Sequence, residues 1–338
     1  MQNWDLIGHS WAVDYLRHST ATGRGAHAYL FAGATGIGKA LLALRLAQRL
    51  VCETNGPDPC LVCRACKRVE HGNHPDVRWS SLAQQSAESK EDTKSRELKI
   101  DTVRAWQHDI DMRPYEAARR VFVLDDANTL TEQAANALLK TLEEPPPYAV
   151  LILIAQGAGD LLPTVVSRCR VLKLRPVGRS LIAAALIQRF NVSSGDAELL
   201  AAWSGGRIGW AIRLLDQPEL IEQQQARLDV LAELQAAGHV ARLKWAEERA
   251  KEYRSDHEVV SDWLTLWQSW WRDILLLGAH CGDAITHLDR REDLQVLASA
   301  TSLADAQRFL TRLDTARQQL ADNVNPQLAL EHLVLHLP

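Results

Sequence analysis

The feature that most constrains this chain is Gly33-Ala34-Thr35-Gly36-Ile37-Gly38-Lys39-Ala40, a Gly-x4-Gly-Lys loop. It lies between the apolar run Tyr29-Leu30-Phe31 and the helix-like Leu41-Leu42-Ala43-Leu44-Arg45-Leu46-Ala47. Such a loop at a strand-to-helix turn aims backbone N–H groups and a helix N-terminus at phosphate, and its lysine reaches the outer phosphates. A pattern this short also arises by chance, so it needs a second signal. Val121-Phe122-Val123-Leu124-Asp125-Asp126 supplies one: four apolar residues read as a buried parallel strand, with carboxylates at the end where parallel sheets bind ligands. Asp125 could hold magnesium through water and Asp126 could orient an attacking water; the plainer reading is a solvated strand end or a helix cap. Joined, the two signals predict a nucleotide-type fold with Gly33, Gly36, Gly38, Lys39, Asp125 and Asp126 as its site. One position departs from the pattern. The loop normally ends in Ser or Thr, whose hydroxyl binds Mg²⁺, and the methyl group of Ala40 cannot do so.

Further apolar runs extend the pattern. Pro75 to Trp79, Val150 to Ile154 and Val171 to Leu174 read as strands, alternating with helices at Ile100 to Trp106, for which Asp101 is a candidate N-cap, and at Thr131 to Glu144. Strand and helix alternate as a parallel α/β sheet requires. Residues Trp4 to Gly25 read as largely helical, and the polar stretch Ser80 to Glu97 reads as a surface loop. His27, at the start of the first strand, reads as a packed, hydrogen-bonded histidine before it reads as a ligand contact.

Between the loop helix and Pro75 stand Cys52, Cys60, Cys63 and Cys66, four thiols within fifteen residues. Two Cys-x2-Cys spacings let a tight loop present several sulfurs at once, which suits tetrahedral zinc; four protein ligands make such a site structural and closed. A redox pair, unligated cysteines or an iron–sulfur cluster are the other readings of the spacing. The chain has 338 residues, enough for two or three domains, and a net charge of −4, which argues against a stand-alone DNA-coating protein. No apolar run is long enough to span a membrane and the first residues lack signal-peptide character, so the expected location is the cytoplasm.

Beyond Pro176 the strand pattern stops. Residues 177 to about 215 read as a small helical unit, and those from about 220 to Pro338 are helical throughout. Trp263, Trp267, Trp270 and Ile274 fall on one helix stripe, read as a core or subunit-packing face in preference to a base-stacking surface.

Over nearly its whole length the chain resembles subunits of the bacterial DNA polymerase III clamp loader, an AAA+ family. The residues that carry the resemblance are His27-Ala28-Tyr29-Leu30-Phe31 with the phosphate loop, the four-cysteine insert, Ala135-Asn136-Ala137-Leu138-Leu139-Lys140-Thr141-Leu142-Glu143-Glu144-Pro145-Pro146, and Ser167-Arg168-Cys169. The resemblance implies an AAA+ P-loop-type α/β domain over 1–176 with a zinc module at 52–66, a helical lid over 177–215 and an all-helical collar over 216–338 that assembles with neighbours. Departures from the gamma/tau motor class point to the delta-prime class: Ala40 ends the loop, Asp125-Asp126 replaces Asp-Glu, Ala155-Gln156 stands where the motor has a polar sensor, and Gly209 stands at its second sensor arginine. By resemblance such a chain joins gamma/tau and delta subunits in a ring-like hetero-oligomer that opens a sliding clamp and places it on primed DNA. It would bind ATP and Mg²⁺ weakly or not at all and would not be an independent ATPase. Arg168 would act as an arginine finger toward a neighbour's ATP, unless it caps a helix or pairs with an acid of its own domain. The alternatives are a gamma/tau-like ATPase that tolerates Ala40 and a zinc-stabilised adaptor. Cys169 carries no role beyond burial.

Overall fold

Five parallel strands form one sheet: β1 (Ala28–Ala32), β2 (Val77–Ser80), β3 (Arg120–Leu124), β4 (Ala149–Ala155) and β5 (Arg170–Lys173), in the spatial order β2-β3-β4-β1-β5. This is a computed structural model that describes residues 2–22, 25–54, 56–88, 97–322 and 324–338. It divides into two compact units, Met1–Ala185 with Gly206–Trp210, and Leu186–Gly205 with Ala211–Pro338.

In the first unit every residue of β1 and β4 is buried, as expected of central strands covered on both faces. Alternate residues face opposite ways, so one sequence feeds two cores. Tyr29, Phe31, Val121, Val123, Ile152 and Ile154 pack on the side of α1 (Ser10–Ala21), α2 (Lys39–Val51) and α3 (Arg64–Glu70). Past α4 (Leu82–Glu88), the other side holds Leu30, Phe122, Leu124, Leu151 and Leu153 against α5 (Ile100–Ile110), α6 (Glu132–Glu143) and α7 (Pro163–Val166). Thr131 caps α6 by accepting the Ala134 N–H at 3.2 Å, and the helix ends before Pro145.

The expected parallel sheet is present, and the local differences have identifiable causes. The stretch from Trp4 is largely helical but not one helix: a 3-10 turn covers Gln2–Asp5, the backbone is left-handed at Trp4, Asp5 and His9, and α1 starts at Ser10. Trp4 Nε1 donates to Asp58 at 2.7 Å. Asp101 is not the N-cap of α5. Leu98 forms a parallel bridge with Leu130, so the helix begins at Ile100, with Lys99 at the N-cap position making no side-chain capping bond and Asp101 in the first turn. Part of the expected surface loop, Leu82–Glu88, is helical; residues 89–96 lie outside the described residues.

Beyond β5 the chain is helical: α8 (Arg179–Phe190), α9 (Ser194–Trp203), α10 (Ile208–Asp216), α11 (Glu219–Ala236), α12 (His239–Ser255), α13 (His257–Gly278), α14 (Arg291–Ala300), α15 (Leu303–Ala321) and α16 (Pro326–Leu335). In the second unit α13 is the centre, packed on α11, α12, α14 and α15, while α12 also packs on α16. Its tryptophan stripe is core: Trp263, Trp267, Trp270 and Ile274 are all buried. Trp267 stacks on Trp245 with centroids 4.8 Å apart, and Trp271 meets Phe309 at 4.9 Å. No base can stack on rings already covered. The buried Asp273 Oδ2 accepts from the N–H groups of Thr286 and His287 and pairs with the His287 ring, each at 2.8 Å. Trp267→Ala is expected to cost about 3–5 kcal/mol, read as a lower denaturant midpoint for the helical transition; a loss below about 1 kcal/mol would show that the stack is not a core.

Candidate functional site

The C-terminal ends of β1, β3 and β4 share one edge of the sheet, and there the predicted residues meet. Thr35, Gly36, Gly38, Lys39, Asp125, Asp126, Asn128, Gln156 and Gly209 line one cleft of about 330 Å³. The loop leaves β1 at Gly33, whose N–H donates to Ala155 O at 3.3 Å. Gly36 and Gly38 take φ of 79° and 108°, the left-handed region that a side chain disfavours, so the loop can turn straight into α2. Helix α2 then presents its N-terminal N–H groups at the cleft.

Two groups of this cleft, the Lys39 ammonium and the Gly209 N–H, are held by the phosphate loop itself. Lys39 is buried, and its Nζ donates to the loop carbonyls of Gly33 at 2.5 Å and Ala34 at 2.9 Å. Burial lowers its pKa, and the fields of Asp125 and Asp126 oppose that shift. Burial likewise raises the Asp125 carboxyl, and the adjacent Asp126 adds to it. Gly36 O accepts the Gly209 N–H at 2.7 Å. A Cβ at Gly209 would stand 2.9 Å from that oxygen, so the backbone at 209 fits here only without a side chain. Backbone thus fills the cleft wall at Gly209, and Ala40 offers no hydroxyl to a metal.

Arg168 is not among the residues lining this cleft. It follows α7, with its side chain 35% exposed. Nη2 reaches Glu143 Oε1 at 2.6 Å, and Nη1 donates to Thr164 O at 2.9 Å and Ser167 Oγ at 3.4 Å. The acid pairing weighed for Arg168 in the sequence therefore exists, with Glu143 as the partner. Cys169 is half-buried, and burial pushes its thiol up to about 12.

The four cysteines converge. Their Sγ atoms all lie within 4.8 Å of one another, close to the edges of about 3.8 Å that zinc–sulfur bonds would give a tetrahedron. Backbone N–H groups point at the sulfurs in sequence: Cys60 to Cys52 at 3.4 Å, Cys63 to Cys60 at 3.3 Å, and Cys66 to Cys63 at 3.4 Å. Such donors favour thiolates. Burial works against the Cys60 thiolate, but N–H groups of Cys63 and Val62 outweigh it and bring the thiol to about 6. Burial pushes the Cys66 thiol up, and the neighbouring Cys63 and Cys52 sulfurs add to it. The donor set fits a divalent metal, which would supply the missing positive charge. The module is tied to the fold by Gln48 Nε2, which donates to Cys66 O at 3.0 Å, and by Asp58, which accepts from Arg17 and Trp4.

Comparison with known proteins gives the family. Residues 8–178 match the profile described as DNA polymerase III, delta subunit, and residues 221–337 match its C-terminal counterpart. DNA polymerase III subunit delta' of Bacillus subtilis is 31% identical over 326 residues, covering 95% of this chain and 94% of that protein. The chain belongs to the DNA polymerase III delta-prime family. The Haemophilus influenzae delta' subunit is 31% identical over 60% of this chain and 59% of its own length. The Escherichia coli tau subunit is also 31% identical, over 63% of this chain, but the match spans only 32% of tau. Among the described residues no helix is long and apolar enough to cross a membrane.

In this delta-prime chain the sequence missed three neighbours of the site. Asn128 lines the cleft without belonging to a motif. His9 is buried and hydrogen-bonded to the Ile37 backbone of the phosphate loop, and burial lowers its pKa; an isolated histidine in a helix-like stretch gives no signal. Glu143 stood in the quoted Leu-Lys-Thr-Leu-Glu-Glu run, so only its pairing was hidden. Purified protein is expected to carry one zinc per chain by atomic emission, and its removal by a strong chelator should lower Tm by about 5 °C and expose residues 52–66 to protease. Metal-free protein with an unchanged Tm and cleavage pattern would refute the site.

Proposed function

We propose that this chain is the delta-prime subunit of a DNA polymerase III clamp loader and is not itself an ATPase. In this reading residues 177–215 are the lid and 216–338 the collar through which it joins gamma/tau and delta subunits. It supplies Arg168 in trans to the ATP of a neighbouring motor subunit, so that the assembly can place a sliding clamp on primed DNA. The carrying observation is the contrast between two cations. Lys39, in the chain's own cleft, is buried on loop carbonyls, whereas Arg168 lies outside that cleft with its side chain 35% exposed. A guanidinium delivered to a transferring phosphoryl group stabilises charge that develops in the transition state and is worth roughly 10³–10⁵ in rate. Ala40 supports the other half of the reading, because nucleotide held by Lys39 alone lacks the hydroxyl that fixes magnesium. The four-sulfur module then has a structural role, bracing α2 behind the loop through Gln48.

The test is ATP turnover by the reconstituted loader with clamp and primed DNA. Arg168→Ala is expected to lower turnover at the adjoining motor site by about 10³-fold or more, and Lys39→Ala to leave total turnover nearly unchanged. The reverse pattern would make this chain a motor subunit.

A further inference from the structure

Arg168 is the one cation that the proposed function requires to leave this chain, yet it has an anionic partner within it. The geometry points to Glu143 as a positioning residue for Arg168: its carboxylate occupies the guanidinium in cis and is displaced when a phosphoryl oxygen of a neighbouring chain's nucleotide arrives. This inference rests on the reading of Arg168 as a finger acting in trans.

Three observations carry it. Glu143 is the last residue of α6, so its carboxylate stands at the negative end of that helix, where a negative charge is unfavourable without a cation. Arg168 supplies the cation at 2.6 Å. Second, the two ends of the guanidinium are held differently. Nη1 rests on Thr164 O and Ser167 Oγ, partners that follow from the turn of α7 and do not depend on Glu143. Nη2 alone goes to the carboxylate. Exchanging that partner therefore leaves the side chain anchored and aimed. Third, the pair is exposed, 35% for Arg168 and 51% for Glu143, so solvent screens it and it is weak enough to give way. A triphosphate, with several charges against one, wins such a competition; solvent and isolated anions do not have that advantage. The pair thus keeps Arg168 ordered and neutralised in the free chain and releases it on a nucleotide-bearing neighbour.

The test uses the complex assembled from full-length chains, with ATPγS as the probe. The readout is ATPγS-dependent association of this chain with the adjacent ATPase subunit, followed by fluorescence anisotropy at low and high salt. Glu143→Gln keeps the shape and removes the charge. It is expected to tighten that association about twofold to fivefold at low salt, the gain shrinking as salt rises. In an Arg168→Ala background the same substitution is expected to do nothing. Tightening is the opposite of what simple damage to α6 would produce. An unchanged or weakened association with Glu143→Gln, while Arg168→Ala weakens it, would overturn the role of Glu143 alone. So would an equal effect in both backgrounds. If Arg168→Ala itself leaves the ATPγS-dependent association and turnover intact, the finger reading fails and this inference with it.

Discussion

Burial of β1 and β4 on both faces is the constraint on which the first unit depends. A strand covered on both sides must be apolar throughout and must place its backbone groups in a ladder with its neighbours. With β1 between β4 and β5, and β3 beyond β4, the strands run parallel and end together. The phosphate loop after β1 and the acids after β3 come from distant parts of the chain and meet for this reason alone. Two cores follow from the same strands, because alternate side chains feed opposite faces.

The cleft produced in this way has the outline of a nucleotide site and an interior that serves the fold. Lys39 caps loop carbonyls, and the Gly209 N–H closes on Gly36 O. Both interactions tie up groups that line the cleft. Arg168 stands instead outside the cleft, on a turn where Thr164 O and Ser167 Oγ hold one end of its guanidinium and Glu143 the other. The sulfur module adds a different kind of order. A loop-rich insert with little apolar content has no core of its own, and its four thiols converge within 4.8 Å of one another in place of one. Its ties through Gln48 and Asp58 carry that order to α2 and to the first residues of the chain.

The sequence by itself determined the elements whose signal is local. Five apolar runs became five strands, Cys52, Cys60, Cys63 and Cys66 came together because their spacing is short, and the tryptophan stripe became a core face because its period matches one side of a helix. Each depends on residues a few positions apart, where periodicity and chain geometry decide. Only the tertiary structure decided the rest. Asp58 anchors the Trp4 ring, Leu130 sets where α5 begins, Gly209 seals a loop far upstream in sequence, and Glu143 finds Arg168 across two elements. Such pairings join residues with no fixed spacing and are selected by which groups remain unsatisfied once the sheet has formed. That selection is a property of the packed chain, and no local pattern records it.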